Sequence, residues 1–201
     1  MLVLVDIDNT LYDADSLFSR VAREEFGVAQ WPTSCSYWFG PGDIGTDLKT
    51  IKNVFRRCHS REYILAQKPF PFAVDAIREI HECYDGVRFA FISDRNRQQT
   101  SALEEWLSQE GFLQENDVVA TTLDKREWMR EHRPDIVIDD RVRTLLMARF
   151  ELSSYGIGLQ RPHNINLKNE VNGIYICPDW KAIQTVLIEI IIPKVETNIR
   201  T

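Results

Sequence analysis

Two kinds of hydrophobic pattern take turns along the chain. Short, almost continuous apolar runs stand at Val3 to Val5, Val87 to Ser93, Val118 to Thr122, Asp135 to Asp140, Tyr155 to Leu159 and Gly173 to Ile176. Between them, apolar residues return every three or four positions. One such stretch holds Leu17, Phe18, Val21 and Phe26 and stops at Gly27. A second, behind Thr46 as its expected cap, holds Leu48, Ile51, Val54, Phe55 and Cys58, and a short third runs from Glu62 to Ala66. Further stretches carry Val74, Ile77 and Ile80; Leu103, Trp106 and Leu107 up to Gly111; Lys125 to His132; and Leu145 with Met147. A final helix has Val186 to Ile192 on its buried face. The short runs read as strands and the periodic stretches as helices. Strands that are apolar almost throughout, in alternation with helices, indicate a parallel sheet covered on both faces. Residues 13–68 break the alternation: three helical pieces and the aromatic, turn-rich WPTSCSYWFGPGD follow the first strand without another strand. The expected architecture is an α/β, Rossmann-like core of residues 1–12 and 69–201, with a small helical cap, 13–68, inserted after the first strand.

The chain's 201 residues suffice for one core with a smaller lobe. A net charge of −6 argues against a surface built to track nucleic-acid backbone, although it leaves room for a local basic cleft. Cys35, Cys58, Cys83 and Cys177 stand far apart, without CxxC or zinc-like spacing, and are expected as reduced thiols of a cytoplasmic protein. The apolar run before Asp6 is too short for a signal-peptide core, and Val186 to Ile192 is too short to span a bilayer. No membrane association is expected.

In open parallel sheets, ligands bind beyond the carboxyl ends of the strands, so the residues at those ends carry the chemical information. The first strand delivers Asp6 and, two residues on, Asp8, with Thr10 beyond. The second ends in Ser93, followed by Asp94 and Arg95; the third leads to Asp124 and Lys125; the fourth ends in Asp139 and Asp140. Taken singly, these are ordinary: a strand-end turn, a loop hydroxyl, a solvated lysine, a helix cap. Taken together, they bring four carboxylates, a hydroxyl and an amine to one cleft, which demands a cation. Hard oxygen ligands suit Mg²⁺, with Asp6, Asp8, Asp139 and Asp140 as the metal-side residues. Such a site could accept a phosphate, with Ser93 donating to it and Lys125 offsetting its charge. One aspartate could attack phosphorus while a second handles the proton. Thr10, Asp94 and Arg95 are expected beside the substrate. Tyr37, Trp38 and Phe39 form either an apolar wall on which a base stacks or the packing between cap and core. No histidine shows ligand spacing, and only His163 is expected close to the cleft.

DIDNT, the strand ending ISDR, Lys125 opening a helix, and VIDDR resemble the four motifs of the haloacid dehalogenase (HAD) superfamily of phosphatases. The resemblance implies Asp6 as nucleophile, Asp8 as general acid/base, Ser93 and Lys125 as phosphate ligands, and Asp139 with Asp140 on the Mg²⁺ side, joined by the Asp8 carbonyl. Asn9 stands where many members have Gly. Across the whole chain the sequence is similar to the 5′(3′)-deoxyribonucleotidases, through the position of the helical insertion, TLDK, IDDR, the pair His163-Asn164 and DWKAI at Asp179 to Ile183. It departs from them at Ala14, where that family has a base-contacting aromatic residue, and in a longer spacing from Lys125 to Asp139. ISDRNRQQTSALEEWL and DDRVRTLLMAR also resemble the 3′-phosphatase domain of polynucleotide kinases, with Asp94 in place of a Gly; no GxxxxGK[ST] kinase motif is present. A cap and an acidic balance favour a small substrate. The expectation is a Mg²⁺-dependent phosphomonoesterase acting through an aspartyl-phosphate on nucleoside or deoxyribonucleoside monophosphates. The alternatives are a polynucleotide 3′-phosphatase and a non-catalytic phosphate-binding or interaction protein. The expected partner is a small phosphate ester, foremost a nucleotide, with nucleic acid less favoured and a homodimer allowed.

Overall fold

Six strands make one parallel sheet in the computed structural model, which describes residues 1–31, 45–122, 124–164 and 172–199. They are β1 (Leu2–Asp6), β2 (Arg88–Ser93), β3 (Val118–Thr121), β4 (Ile136–Ile138), β5 (Tyr155–Leu159) and β6 (Ile174–Cys177), in the order β3-β2-β1-β4-β5-β6. The helices are α1 (Ala14–Phe26), α2 (Leu48–Cys58), α3 (Arg61–Leu65), α4 (Ala73–Cys83), α5 (Thr100–Gln109), α6 (Lys125–His132), α7 (Val142–Leu152) and α8 (Trp180–Ile199). A 3₁₀ turn, Arg97–Gln99, leads into α5.

The pleat explains why the strands read as apolar throughout. Val3, Val5, Phe89, Phe91, Ile136 and Ile138 join one core with Ile77 and Ile80 of α4, Leu103 and Trp106 of α5, and Leu187 and Ile191 of α8. Their alternates Leu4, Ala90, Ile92 and Val137 join a second core with Met129 of α6 and Met147 and Ala148 of α7. Both faces are covered, so neither set can be polar. Gly158 in β5 lets α7 lie close on the sheet: a Cβ there would come within 2.6 Å of Ile176 Cδ1 and 2.9 Å of Leu145 Cδ1.

The sheet grows outward from β1 through β2 to β3, then restarts on the other side of β1 with β4. A ligand crevice forms at the carboxyl ends where such a reversal occurs. Val5 pairs with Ile138, so Asp139 comes level with Asp6; Asp6 itself pairs with Ile92, which puts Ser93 one step beyond.

Between β1 and α4 the chain makes α1, α2 and α3. Asp13 caps α1 by accepting from Ser16 N at 3.1 Å, and Gly27 ends it in the left-handed conformation at φ 65°. The cap of α2 is Asp47 rather than Thr46, its carboxylate accepting from Thr50 N at 2.6 Å. A carboxylate both satisfies the free N–H and complements the positive helix end, which a hydroxyl one residue earlier cannot. Phe18 packs against Trp31, Phe55 and His59 with ring centroids 6.2, 4.8 and 5.5 Å apart. Phe18 and Trp31 belong to the same continuous core as β1. Tyr37, Trp38, Phe39 and Cys35 lie outside the described residues. Cys58, Cys83 and Cys177 are free thiols. No helix among the described residues is long and apolar enough to cross a membrane.

His59 ties this packing to pH. Burial pushes its pKa down to about 4, Arg95 reinforces the shift and Asp8 opposes it. The unfolded chain therefore takes up the proton first. Stability is complete above the ordinary histidine value and is lost as pH falls from about 6.5 toward 4, by up to about 3 kcal/mol. Urea unfolding followed across this window should show the loss, and His59→Gln should flatten that part of the profile.

Candidate active site

Asp6 is the last residue of β1 and is buried at 3% exposure. Thr10 Oγ1 donates to its Oδ2 at 3.1 Å, and Lys125 Nζ donates to its Oδ1. The same ammonium donates to Asp139 Oδ2 at 2.9 Å. Lys125 reaches this point because it opens α6, which Asp124 caps by accepting from Arg126 N at 3.0 Å. Its own burial disfavours the charge, but Asp139 and Asp6 overcome that and hold the ammonium protonated. For Asp6 the balance goes the other way. Burial raises its pKa well above the carboxylate range, Lys125 opposes, and Asp139 and Asp140 raise it further.

Asp139 Oδ1 accepts from Arg141 N at 2.8 Å. Asp140 is fully buried; His163 Nε2 lies 3.0 Å from its Oδ2, while its Oδ1 has no hydrogen-bond partner among the described residues. Oxygens of Asp6, Asp139 and Asp140 lie within 4.8 Å of one another. Three clustered carboxylates with an orphaned buried oxygen form a hard, all-oxygen donor set, and it fits a small divalent cation such as Mg²⁺.

Asp8 turns elsewhere. The strand ends at Asp6, and Asn9 takes a left-handed backbone at φ 61°, which Asn tolerates better than most residues. Asn9 also fastens the turn to α1, accepting from Asp15 N and donating to Asp15 Oδ1, both at 3.0 Å. Asp8 Oδ2 accepts from Ser93 Oγ and Arg95 Nε, each at 3.0 Å; its Oδ1 accepts from Tyr12 Oη at 2.6 Å and from Arg95 Nη2. Burial would raise the Asp8 pKa, but the Arg95 charge and its hydrogen bonds more than offset this and hold Asp8 ionised.

The sequence places the carboxylates of Asp6 and Asp8 around one shared cation. The structure instead separates them: Asp6 joins the Lys125 cluster, and the Asp8 side chain stands outside it against Arg95. Pleat alternation cannot be extended past the last strand residue, which is why the two diverge. Ser93 and Arg95, read as substrate contacts, here both hold Asp8, although Arg95 Nη1 keeps a free donor among the described residues. Asp94 is exposed and pairs with Arg141 Nη1 at 2.5 Å, so the ISDR and IDDR segments meet.

Two segments noted only for their resemblance have definite tasks. Trp180 Nε1 donates to the Thr10 carbonyl at 2.8 Å, fixing the loop after β1 from the start of α8. Asn164 Nδ2 donates to the carbonyls of Asp140 and Leu159 at 2.8 and 2.9 Å, fixing the loop after β4. Tyr12 was missed by sequence reasoning; its only signal was a phenol four residues after Asp8. Ala14 is buried at the start of α1.

Comparison with known proteins bears on this geometry. No protein-family model matches the sequence, and no curated protein matches it. Solved structures do match in shape. A HAD family hydrolase from Deinococcus radiodurans with bound phosphate and sodium has a TM-score of 0.65 at 12% identity, covering 94% of this chain and 95% of that one. The fold is HAD-like. A variant of CbbY from Rhodobacter sphaeroides in complex with xylulose-(1,5)bisphosphate follows at 0.58 and 15% identity, over 89% and 94% of the two chains. D,D-heptose 1,7-bisphosphate phosphatase from Burkholderia thailandensis gives 0.55 and 10%, over 93% and 97%. At such identities the likeness establishes the HAD-like fold and leaves the chemistry to be argued from the residues.

The Asp6, Asp139 and Asp140 cluster generates a prediction that needs no turnover. Mg²⁺ at tenfold its dissociation constant should stabilise the chain by about 1.4 kcal/mol, a rise in unfolding temperature of roughly 3–6 °C. Differential scanning of Asp140→Asn with and without Mg²⁺ should show the shift removed, even if the variant without metal is the more stable for having lost a buried charge.

Proposed function

We propose that this chain is a phosphomonoesterase that works through an aspartyl-phosphate on Asp6, requires Mg²⁺, and takes nucleoside or deoxyribonucleoside monophosphates, with residues 13–68 as its cap. The observation that carries the chemistry is the segregation of the two aspartates. Asp6 is backed by a lysine inside a carboxylate cluster, and Asp8, two residues on, sits against Arg95.

In the first half-reaction an Asp6 carboxylate oxygen attacks phosphorus, the ester P–O bond breaks, and the departing oxygen takes a proton. Lys125 is positioned to neutralise a phosphate oxygen and hold Asp6 in line, while Thr10 fixes the other Asp6 oxygen. Mg²⁺ on Asp6, Asp139 and Asp140 would balance the surplus negative charge and make the cleft hospitable to a phosphate dianion. In the second half-reaction water attacks phosphorus, inorganic phosphate leaves, and Asp6 is regenerated. Asp8 in the arrangement observed is held as a carboxylate, which suits it to take the proton from that water. To donate a proton in the first half it must lose its grip on Arg95, and the free Nη1 of Arg95 is a donor that an incoming phosphate could recruit.

The nucleotide assignment is supported by the resemblance of the whole chain to the deoxyribonucleotidases. One structural neighbour is named for a sugar bisphosphate and another was solved in complex with one, so the test uses a broad panel. Ribo- and deoxyribonucleoside 5′- and 3′-monophosphates should be hydrolysed in the presence of Mg²⁺ and spared in its absence. Asp6→Asn should lower turnover by at least about a thousandfold with an unchanged circular dichroism spectrum. Undiminished hydrolysis by that variant would remove Asp6 from the mechanism. Failure of every ester, including a generic aryl phosphate, under any divalent metal would leave the non-catalytic reading.

A further inference from the structure

Beside the catalytic cluster lies a cavity of about 200 Å³ whose lining includes Lys125, Arg126, Arg141, Arg143, Asp94 and Asp124. Four cations thus face two carboxylates, on a chain whose net charge is −6. The excess is local and unlike the rest of the molecule. The cavity opens where α6 and α7 begin, so two positive helix ends contribute. Asp124 caps α6, but α7 starts without a side-chain cap.

The charges in this cavity differ in commitment. Arg126 pairs with Asp124 at 3.1 Å and Arg141 with Asp94 at 2.5 Å, all at the surface. Such exposed pairs are weak and exchange readily for a better anion. Arg143 is exposed and has no ion pair among the described residues. Lys125, at 4% exposure, is among the lining residues and also touches Asp6 and Asp139. One lysine therefore belongs both to the reacting centre and to the basic cavity, so an anion in the cavity lies next to a phosphate at Asp6.

We propose that this cavity is a subsite for a second phosphate group of the substrate, which is bound and not hydrolysed. The inference rests on the phosphatase reading and extends its substrates from nucleoside monophosphates to esters carrying a second phosphate group close to the first. That chemistry has two sources: a nucleoside 3′,5′-bisphosphate, or the phosphodiester adjoining a terminal 3′-phosphate in a nucleic-acid strand. Arg143 and Arg126 supply the subsite's affinity, and Lys125 links it to the reaction.

Binding separates the proposal from the reading beneath it. With Asp6→Asn in Mg²⁺ buffer, calorimetry compares a nucleoside 5′-monophosphate, a 3′-monophosphate, the 3′,5′-bisphosphate and a 3′-phosphorylated dinucleotide. At least one doubly anionic ligand should bind about tenfold or more tighter than either monophosphate, with a steeper loss of affinity as salt rises. Whichever of the two gains identifies the source. Adding Arg126→Ala and Arg143→Ala should collapse that gap while leaving monophosphate binding and the unfolding midpoint in place. Equal affinities for all four ligands, or a loss that falls equally on the monophosphates, would overturn the subsite. If the unsubstituted chain hydrolyses none of these esters, the phosphatase reading fails while the binding comparison still stands.

Discussion

The ammonium of Lys125, buried between Asp6 and Asp139, is the interaction on which the site depends. The carboxylates of Asp6, Asp8, Asp139 and Asp140 crowd into one end of the sheet; among the described residues Lys125 pairs with Asp6 and Asp139, Arg95 with Asp8, and His163 faces Asp140. Removing one partner of a buried ion pair costs about 3–5 kcal/mol, because it strands the other. The sheet topology makes the balance possible. β1 and β4 are neighbours, so their terminal aspartates come level. β3 feeds α6 at the same edge, and the first residue of α6 bridges them. The carboxylates still outnumber the cations that touch them. Protons can cover part of that surplus, as the raised pKa values of Asp6 and Asp140 indicate, and a divalent cation would cover it fully.

Separation is the second constraint. The proposed division of tasks between Asp6 and Asp8 requires different electrostatic surroundings, since identical surroundings would give them the same proton affinity. The turn at Asn9 sends Asp8 toward Ser93, Arg95 and Tyr12, where it is held ionised. Asp6 stays in the carboxylate cluster, where burial and its neighbours favour the proton. Distant parts of the chain maintain this geometry. Trp180 anchors the Thr10 carbonyl, and Arg161 Nη2 holds Asp13 Oδ1 at 2.7 Å. The loop carrying Asp8 is thus pinned from the carboxyl-terminal third of the chain.

The strands and the residues at their ends were legible because period-two patterning and strand termini are local properties. That Asp6, Ser93, Lys125, Asp139 and Asp140 gather at one end of the sheet could be read from position alone. The pairing of Asp8 with Arg95 could not, since it follows from a left-handed turn at a non-glycine residue and from side-chain directions beyond the pleat. Likewise Asp47 and Thr46 are both acceptable caps on paper, and only the start of α2 decides between them. Trp180 and Asn164 left no periodic signal; each acts through one hydrogen bond to a backbone carbonyl far away in sequence. The resemblance to the deoxyribonucleotidases marked both segments without saying what they do.

Burial rises steeply across the cleft, and this determines where substrate preference can be written. Asp139, Asp140 and Lys125 are at 0–4% exposure, so altering any of them disturbs the charge balance itself. Ala14 is buried in the core and offers no surface to a ligand. On the proposed reading, specificity comes from residues nearer the rim, such as Arg126, Arg143 and the Asp94–Arg141 pair, whose charges are solvated and individually cheap to change. Chemistry fixed by a buried ion cluster and selectivity set by exposed arginines can vary independently. On the proposed phosphatase reading, that independence would let one such centre serve different esters without unfolding its own foundation.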